Sequence, residues 1–140
     1  MRVLAAVCCA LVLSACASHR PPVGWAPPVG TTATGTASWY GPGFHGRRTA
    51  SGERFHQDHL TAAHRLWAFG TRVRVTLLST GRSVEVTIND RFPRKDRIID
   101  VSRGAARALG LIGPGIGKVR LEVVEQAPPA PRVKRGRAGV

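Results

Sequence analysis

Apolar and polar residues alternate along residues 83–88: Val84, Val86 and Ile88 fall on one side, Ser83, Glu85 and Thr87 on the other. A period of two predicts a strand with one wet face. The same period runs through Val73, Val75 and Leu77 against Arg72, Arg74 and Thr76, and the turn residues "STGR" separate the two runs. Residues 71–89 therefore read as a β-hairpin. A third alternation, Val119, Leu121 and Val123 in "GKVRLEVV", predicts a closing strand. Thr36–Gly41 ("TASWYG") reads as a short strand ending in a turn, "RIID" as another short strand, and "LTAAH" as a short apolar stretch. One segment, "RGAARALG", reads as a short helix, with Ser102 as its N-cap and Gly110 as its stop. "GPGFHGRRTASGERF" carries Gly at 41, 43, 46 and 52 and has no helical period. It predicts a long ordered loop, a kind of segment that usually carries function. Many short strands and one helix in about ninety residues predict a mainly β fold, a small β-barrel.

The ends differ from this middle. Met1-Arg2-Val3, an apolar run from Leu4 to Leu13 and the small residues Ser14 and Ala15 form an export signal, residues 1–15, too short to span a bilayer. "LSAC", ending at Cys16, resembles a bacterial lipobox, so Cys16 is the expected lipid attachment site. Ala17 after it, rather than Asp, favours the periplasmic face of the outer membrane. Cys8 and Cys9 lie inside the signal, which leaves no thiol for a disulfide or a thiolate metal site. Residues 16–34, rich in Pro, Gly, Thr and Ala, read as a lipidated Cys and flexible tether. Residues 126–140 read as a basic disordered tail, and residues 35–125 as one domain.

The net charge of +13 suggests a polyanion partner. Export argues against nucleic acid. The polyanions left in a bacterial envelope are lipid headgroups, lipopolysaccharide and the carboxylates of cell-wall peptides. Most of the arginines read as solvated surface. For the tail, weak contact with an anionic envelope surface is an equal alternative.

Eight acids are available for chemistry. Glu85 lies mid-strand on the wet face, Asp58 in a polar loop, Asp96 between Lys95 and Arg97, and Glu122 and Glu125 on or after the last strand. Asp100 precedes the helix start and reads as structural. Asp90 ends a strand in "INDRFP", where it either closes an Asx turn or presents a carboxyl group from a rigid support. His45, His56, His59 and His64 match no trusted zinc spacing, so neither metal nor cofactor is expected.

The runs "GTASWYGPGFHGRRTASGERF", "TAAH", "FGTRVRV", "GRSVEVTINDR", "RIIDVS" and "AARALG" resemble the rare lipoprotein A (RlpA) family over residues 35–124. The resemblance implies a six-stranded double-psi β-barrel with one or two short helices, related to expansins and to one class of lytic transglycosylase. It also implies an envelope lipoprotein acting on peptidoglycan glycan strands, with cell-division proteins as partners. Active members are endolytic lytic transglycosylases that favour strands stripped of stem peptides. They break the β-1,4 bond after N-acetylmuramic acid and close a 1,6-anhydro ring. Other members only bind glycan, as expansins do, and that is the alternative reading. Two features depart from the family: a basic tail stands where many members carry a SPOR module, and Phe92 replaces the usual Gly after "NDR".

On this resemblance Asp90 and Glu53 are the active-site carboxylates. One acts as acid and base while the other stabilises positive charge, and the assignment stays open. His64 is expected to hydrogen-bond one carboxylate or the glycan, and His45 either does the same or anchors its loop. Tyr40 and Trp39 stack on sugar faces or belong to the core. Thr49, Ser51 and Asn89 are candidates to hold sugar hydroxyls. Arg91 either pairs with a carboxylate or lines the groove.

Overall fold

The structure, a computed structural model, describes residues 20–130. The export signal, Cys16, the tether up to residue 19 and the tail from residue 131 lie outside the described residues. Six strands close into a barrel: β1 (Thr32–Tyr40), β2 (Thr61–His64), β3 (Arg72–Leu77), β4 (Ser83–Asp90), β5 (Ile99–Ser102) and β6 (Ile116–Glu125). One helix, α1 (Arg103–Leu109), follows β5, and a single 3₁₀ turn spans Pro42–Phe44. Around the barrel the order is β1-β5-β2-β4-β3-β6. The pairs β1/β5 and β2/β4 are parallel; the other four are antiparallel.

The alternating apolar positions do fill the barrel. Val73, Val75, Val86, Ile88, Val119, Leu121 and Val123 are at most 1% exposed, joined by Ile99, Val101, Ala37 and Ala62. Side chains of β-branched and aliphatic residues leave little room inside a barrel this narrow. Helix α1 caps one side with Ala105, Ala106 and Leu109. The Ser102 hydroxyl accepts the Ala105 N–H and donates to the His59 carbonyl, while Gly110 ends the helix at φ 77°.

Three boundaries differ from the sequence reading. β1 starts at Thr32, not Thr36, because β6 continues past Gly117 and pairs with it as far as Thr32. β5 is shifted to Ile99–Ser102, set by its pairing with β1. Residues 24–34 are not a free tether: Gly24 donates to the Leu66 carbonyl, Ala68 to that of Trp25 and Gly30 to that of Val123. Trp25 packs on the core and bridges to Trp67, which burial of its large ring favours. Just after β6, Ala127 is buried and the Gln126 side chain donates to the Ala26 carbonyl.

Candidate active site

The ladder between β2 and β4 contains a bulge that places the candidate acid. Ala62 pairs with Ile88, but Ala63 pairs with Asp90, so Asn89 is an extra residue. Strict alternation after Val84, Val86 and Ile88 would aim Asp90 into the apolar barrel. The bulge instead buries Asn89, 4% exposed, and leaves Asp90 half-buried on a groove wall. Bulges re-aim side chains in this way beside active sites.

Asp90 is held from three directions. Its Oδ1 accepts the backbone N–H of Ala50 and of Arg91, each at 2.9 Å, and its Oδ2 accepts the Tyr40 hydroxyl at 3.3 Å. The Tyr40 ring stacks on Phe55, centroids 4.5 Å apart, and meets Phe44 edge-on. Burial, then the charge of Asp90, pushes the Tyr40 phenol well above its usual range, so it remains a donor. Tyr40 thus belongs to the groove wall rather than to a fully buried core.

The Gly-rich loop folds back on itself and meets β4. Gly46 and Phe55 exchange bonds with the opposite limb, Thr49 donates to the Glu53 carbonyl, and Ser51 N–H donates to the Asn89 carbonyl. Gly52 turns the tip at φ 89°, a conformation costly for any residue with a Cβ. The Thr49 and Ser51 hydroxyls share a hydrogen bond of 2.8 Å. Glu53 is exposed, and its Oε2 accepts the Asn89 amide at 3.3 Å. The Asn89 Oδ1 is buried without a hydrogen-bond partner among the described residues.

Glu53, Asp90, Asn89, Tyr40, Thr49 and Ser51 therefore form one constellation, as the sequence reading grouped them. Arg91 lines the groove beside Asp90, the second of its two expected places. Its Nη1 donates to the His64 carbonyl at 2.9 Å and its guanidinium lies 4.0 Å from the Phe69 ring centre, with no carboxylate ion pair among the described residues. That contact is a cation–π pair.

His64 meets no carboxylate, the first of its two expected partners. Its Nδ1 accepts the N–H of Leu66 and of Trp67, its ring stacks on Trp67, and no described hydrogen bond links it to a carboxylate. The turn after β2 needs an acceptor for those two N–H groups, and the imidazole supplies it. Burial first, then Arg91 and Arg65, lowers its pKa to about 4. His45 is the loop anchor of the two options left open: its Nδ1 accepts the Gln57 N–H.

One acid read as structural turns out to share the groove. Asp100 accepts the Ser38 hydroxyl at 2.7 Å and pairs with Arg97 at 3.2 Å, yet it lines the same cavity of about 290 Å³ as Asp90. Tyr40, Phe44, Ala63, Phe92 and Pro93 line it as well, with Arg91, Arg94 and Arg97 beside them. No local sequence signal points to it: its place follows from the parallel pairing of β1 with β5, which sets Ser38 opposite Asp100 and Tyr40 opposite Ser102. A larger depression of about 950 Å³, lined mainly by small apolar residues and prolines, shares Arg91 with this groove.

Residues 32–121 match the DPBB_1 family, described as lytic transglycolase. The chain is 63% identical over 92 residues to the probable endolytic peptidoglycan transglycosylase RlpA of Synechocystis, covering 65% of this chain and 29% of that protein. It is 52% identical over 97 residues to the endolytic peptidoglycan transglycosylase RlpA of Campylobacter jejuni, covering 69% and 35%. The match thus spans about a third of those relatives or less. Among solved structures, the expansin of Clavibacter michiganensis superimposes with a TM-score of 0.54 at 26% identity, covering 68% of this chain and 51% of that one. These likenesses and the strand order agree on a double-psi β-barrel.

Proposed function

The chain belongs to the RlpA family of lytic-transglycosylase-like double-psi β-barrels, and we propose that it cleaves the glycan strands of peptidoglycan endolytically, without water. The observation that carries this is the Asp90 carboxyl group: displaced from the core by a bulge, fixed by three hydrogen bonds and open to a groove. A glycosidic bond is cleaved when a positioned acid protonates the leaving oxygen while a second group stabilises the oxocarbenium-like transition state. In the reaction proposed, a carboxyl group gives its proton to the O4 leaving group and the C1–O4 bond breaks. The sugar's own C6 hydroxyl then attacks C1 and returns its proton to that carboxylate, closing the anhydro ring. Atoms balance without water. Asp90 and Glu53 share these duties, with Asp100 adding negative charge along the same wall. Tyr40, Asn89, Thr49 and Ser51 supply donors and acceptors for carboxylate and sugar. His64 acts as a positioning residue: its carbonyl holds Arg91, and its ring holds the turn after β2.

The test is digestion of purified peptidoglycan by the full chain, with Asp90→Asn and Glu53→Gln variants alongside. Anhydro-muropeptides that disappear in either variant support the reading. Reducing ends without the anhydro ring indicate hydrolysis instead. Protein that pellets with the wall but releases nothing favours the second reading, a glycan-binding module, for which the expansin likeness speaks. The lipobox supports lipid attachment at Cys16 and a place on the periplasmic face of the outer membrane. Mass spectrometry of the mature N-terminus decides that point.

A further inference from the structure

Phe44 is half exposed, and among the described residues every other phenylalanine, tyrosine and tryptophan is buried or partly buried. A ring left in water gives up burial that an aromatic side chain ordinarily contributes to a core. The ring is held in place nonetheless. Phe44 ends the 3₁₀ turn, where its N–H donates to the Gly41 carbonyl at 2.9 Å and its carbonyl accepts the Arg47 N–H at 3.0 Å. Tyr40 meets the ring at right angles, centroids 5.7 Å apart, and the Arg47 guanidinium lies 5.7 Å from its centre. The open ring also stands beside the chemistry. It lines the same cavity as Asp90, and the Tyr40 it packs against is the residue that donates to the Asp90 carboxylate. Ala63 from β2 and Phe92 and Pro93 from the loop after β4 add apolar wall to that cavity.

We propose that Phe44 is a stacking platform that seats one N-acetylated pyranose of the glycan beside Asp90, with Ala63 and Phe92 receiving the acetamido methyl group. The inference rests on the glycan reading of the site and adds to it a subsite and the residue that builds it. A pyranose with equatorial substituents carries axial C–H bonds on its faces. They form an apolar surface that the electron-rich face of an aromatic ring attracts. The hydroxyls stay at the rim of the sugar, free for the polar groups of the groove. A platform fixed before the sugar arrives loses little freedom on binding. An apolar ring moves no proton, so Phe44 contributes to holding the strand and not to the proton transfers.

Pelleting of the full chain in detergent with amidase-stripped sacculi tests it, every sample carrying Asp90→Asn so that the glycan stays whole. Adding Phe44→Ala should weaken binding by about tenfold, the scale of one lost aromatic stack. Phe44→Leu keeps the apolar bulk but has no π face, and should lose nearly as much. Phe44→Trp should bind at least as tightly as the parent. Leu78→Ala, at another half-exposed apolar residue just after β3, should change nothing. Soluble chitohexaose should displace the parent, and cellohexaose, which lacks acetamido groups, should do so about fourfold less well, the worth of one buried methyl group. Full binding by Phe44→Ala overturns the proposal, and full binding by Phe44→Leu overturns it in favour of mere bulk. Equal displacement by the two oligosaccharides overturns the acetamido contact. Wild-type protein that neither pellets nor releases product overturns the glycan reading itself, an outcome distinct from a parent that pellets and is indifferent to Phe44.

Discussion

Tyr40 donates a hydrogen bond from its hydroxyl to Oδ2 of Asp90, 50 residues further along the chain, while its ring lies flat on Phe55. One side chain thus ties together the end of β1, the Gly-rich loop and the end of β4. Removing that hydroxyl should loosen the carboxylate without emptying the groove. Tyr40→Phe is expected to slow release of anhydro-products by about tenfold while costing about 1 kcal/mol of stability, the usual net worth of one hydrogen bond. Undiminished release would mean that Asp90 needs no support from this side. Asp90→Asn should cost far more, about a hundredfold or greater, as expected for loss of a general acid or base.

The Asn89 amide donates to Glu53 Oε2. Asn89→Leu removes that donor while keeping the bulk, so Glu53 loses its one described side-chain tie to β4. Release of anhydro-products should slow by about tenfold, on the scale of one lost hydrogen bond in a site. Undiminished release would show that Glu53 works without this support.

His64 makes stability depend on pH. Its pKa is lowered from 6.5 to about 4 in the fold. Between those values the unfolded chain takes up a proton that the folded chain refuses, so stability falls as pH drops through the window. From pH 7.5 to 5 the loss should be about 2 kcal/mol by linkage. Urea unfolding at the two pH values, with His64→Gln beside the wild type, measures it. A variant with the same slope as wild type would assign the effect to other groups.

Gly104, in the first turn of α1, lies against the backbone of the loop before β2. It donates its N–H to the Gln57 carbonyl at 2.8 Å, and a Cβ there would run into the Asp58 carbonyl. Gly104→Ala should cost about 2–3 kcal/mol, the typical range for overpacking against unyielding atoms. A lower urea midpoint at unchanged slope is the expected signature. An unshifted midpoint would show that this loop can retreat.

Much of the barrel was legible because its strands are half-buried and alternate. The β3–β4 hairpin, the Ser102 cap, the Gly110 stop and the inward face of β6 all follow from local pattern. What escaped depends on partners distant in sequence. β1 extends to Thr32 only because β6 lies alongside, and the parallel pairing that brings Asp100 to the groove leaves no local trace. The extra residue at Asn89 has no signature in hydrophobic period, so the strand end pointed to Asp90 but not to the side it faces. Glu53, Asn89 and Tyr40 were grouped with Asp90 through the family motifs, while of the two partners expected for His64 the carboxylate is not met, since two backbone N–H groups take its Nδ1.

The bonds that fasten residues 24–34 to the barrel shorten its reach. A lipid on Cys16 would be separated from the first fastened residue, Gly24, by eight residues of sequence, a span of at most roughly 28 Å. The eighteen residues from Cys16 to Thr34 would have allowed roughly 60 Å. With the proposed lipid at Cys16, the proposed cleavage would be confined to glycan lying close to the leaflet that holds the anchor.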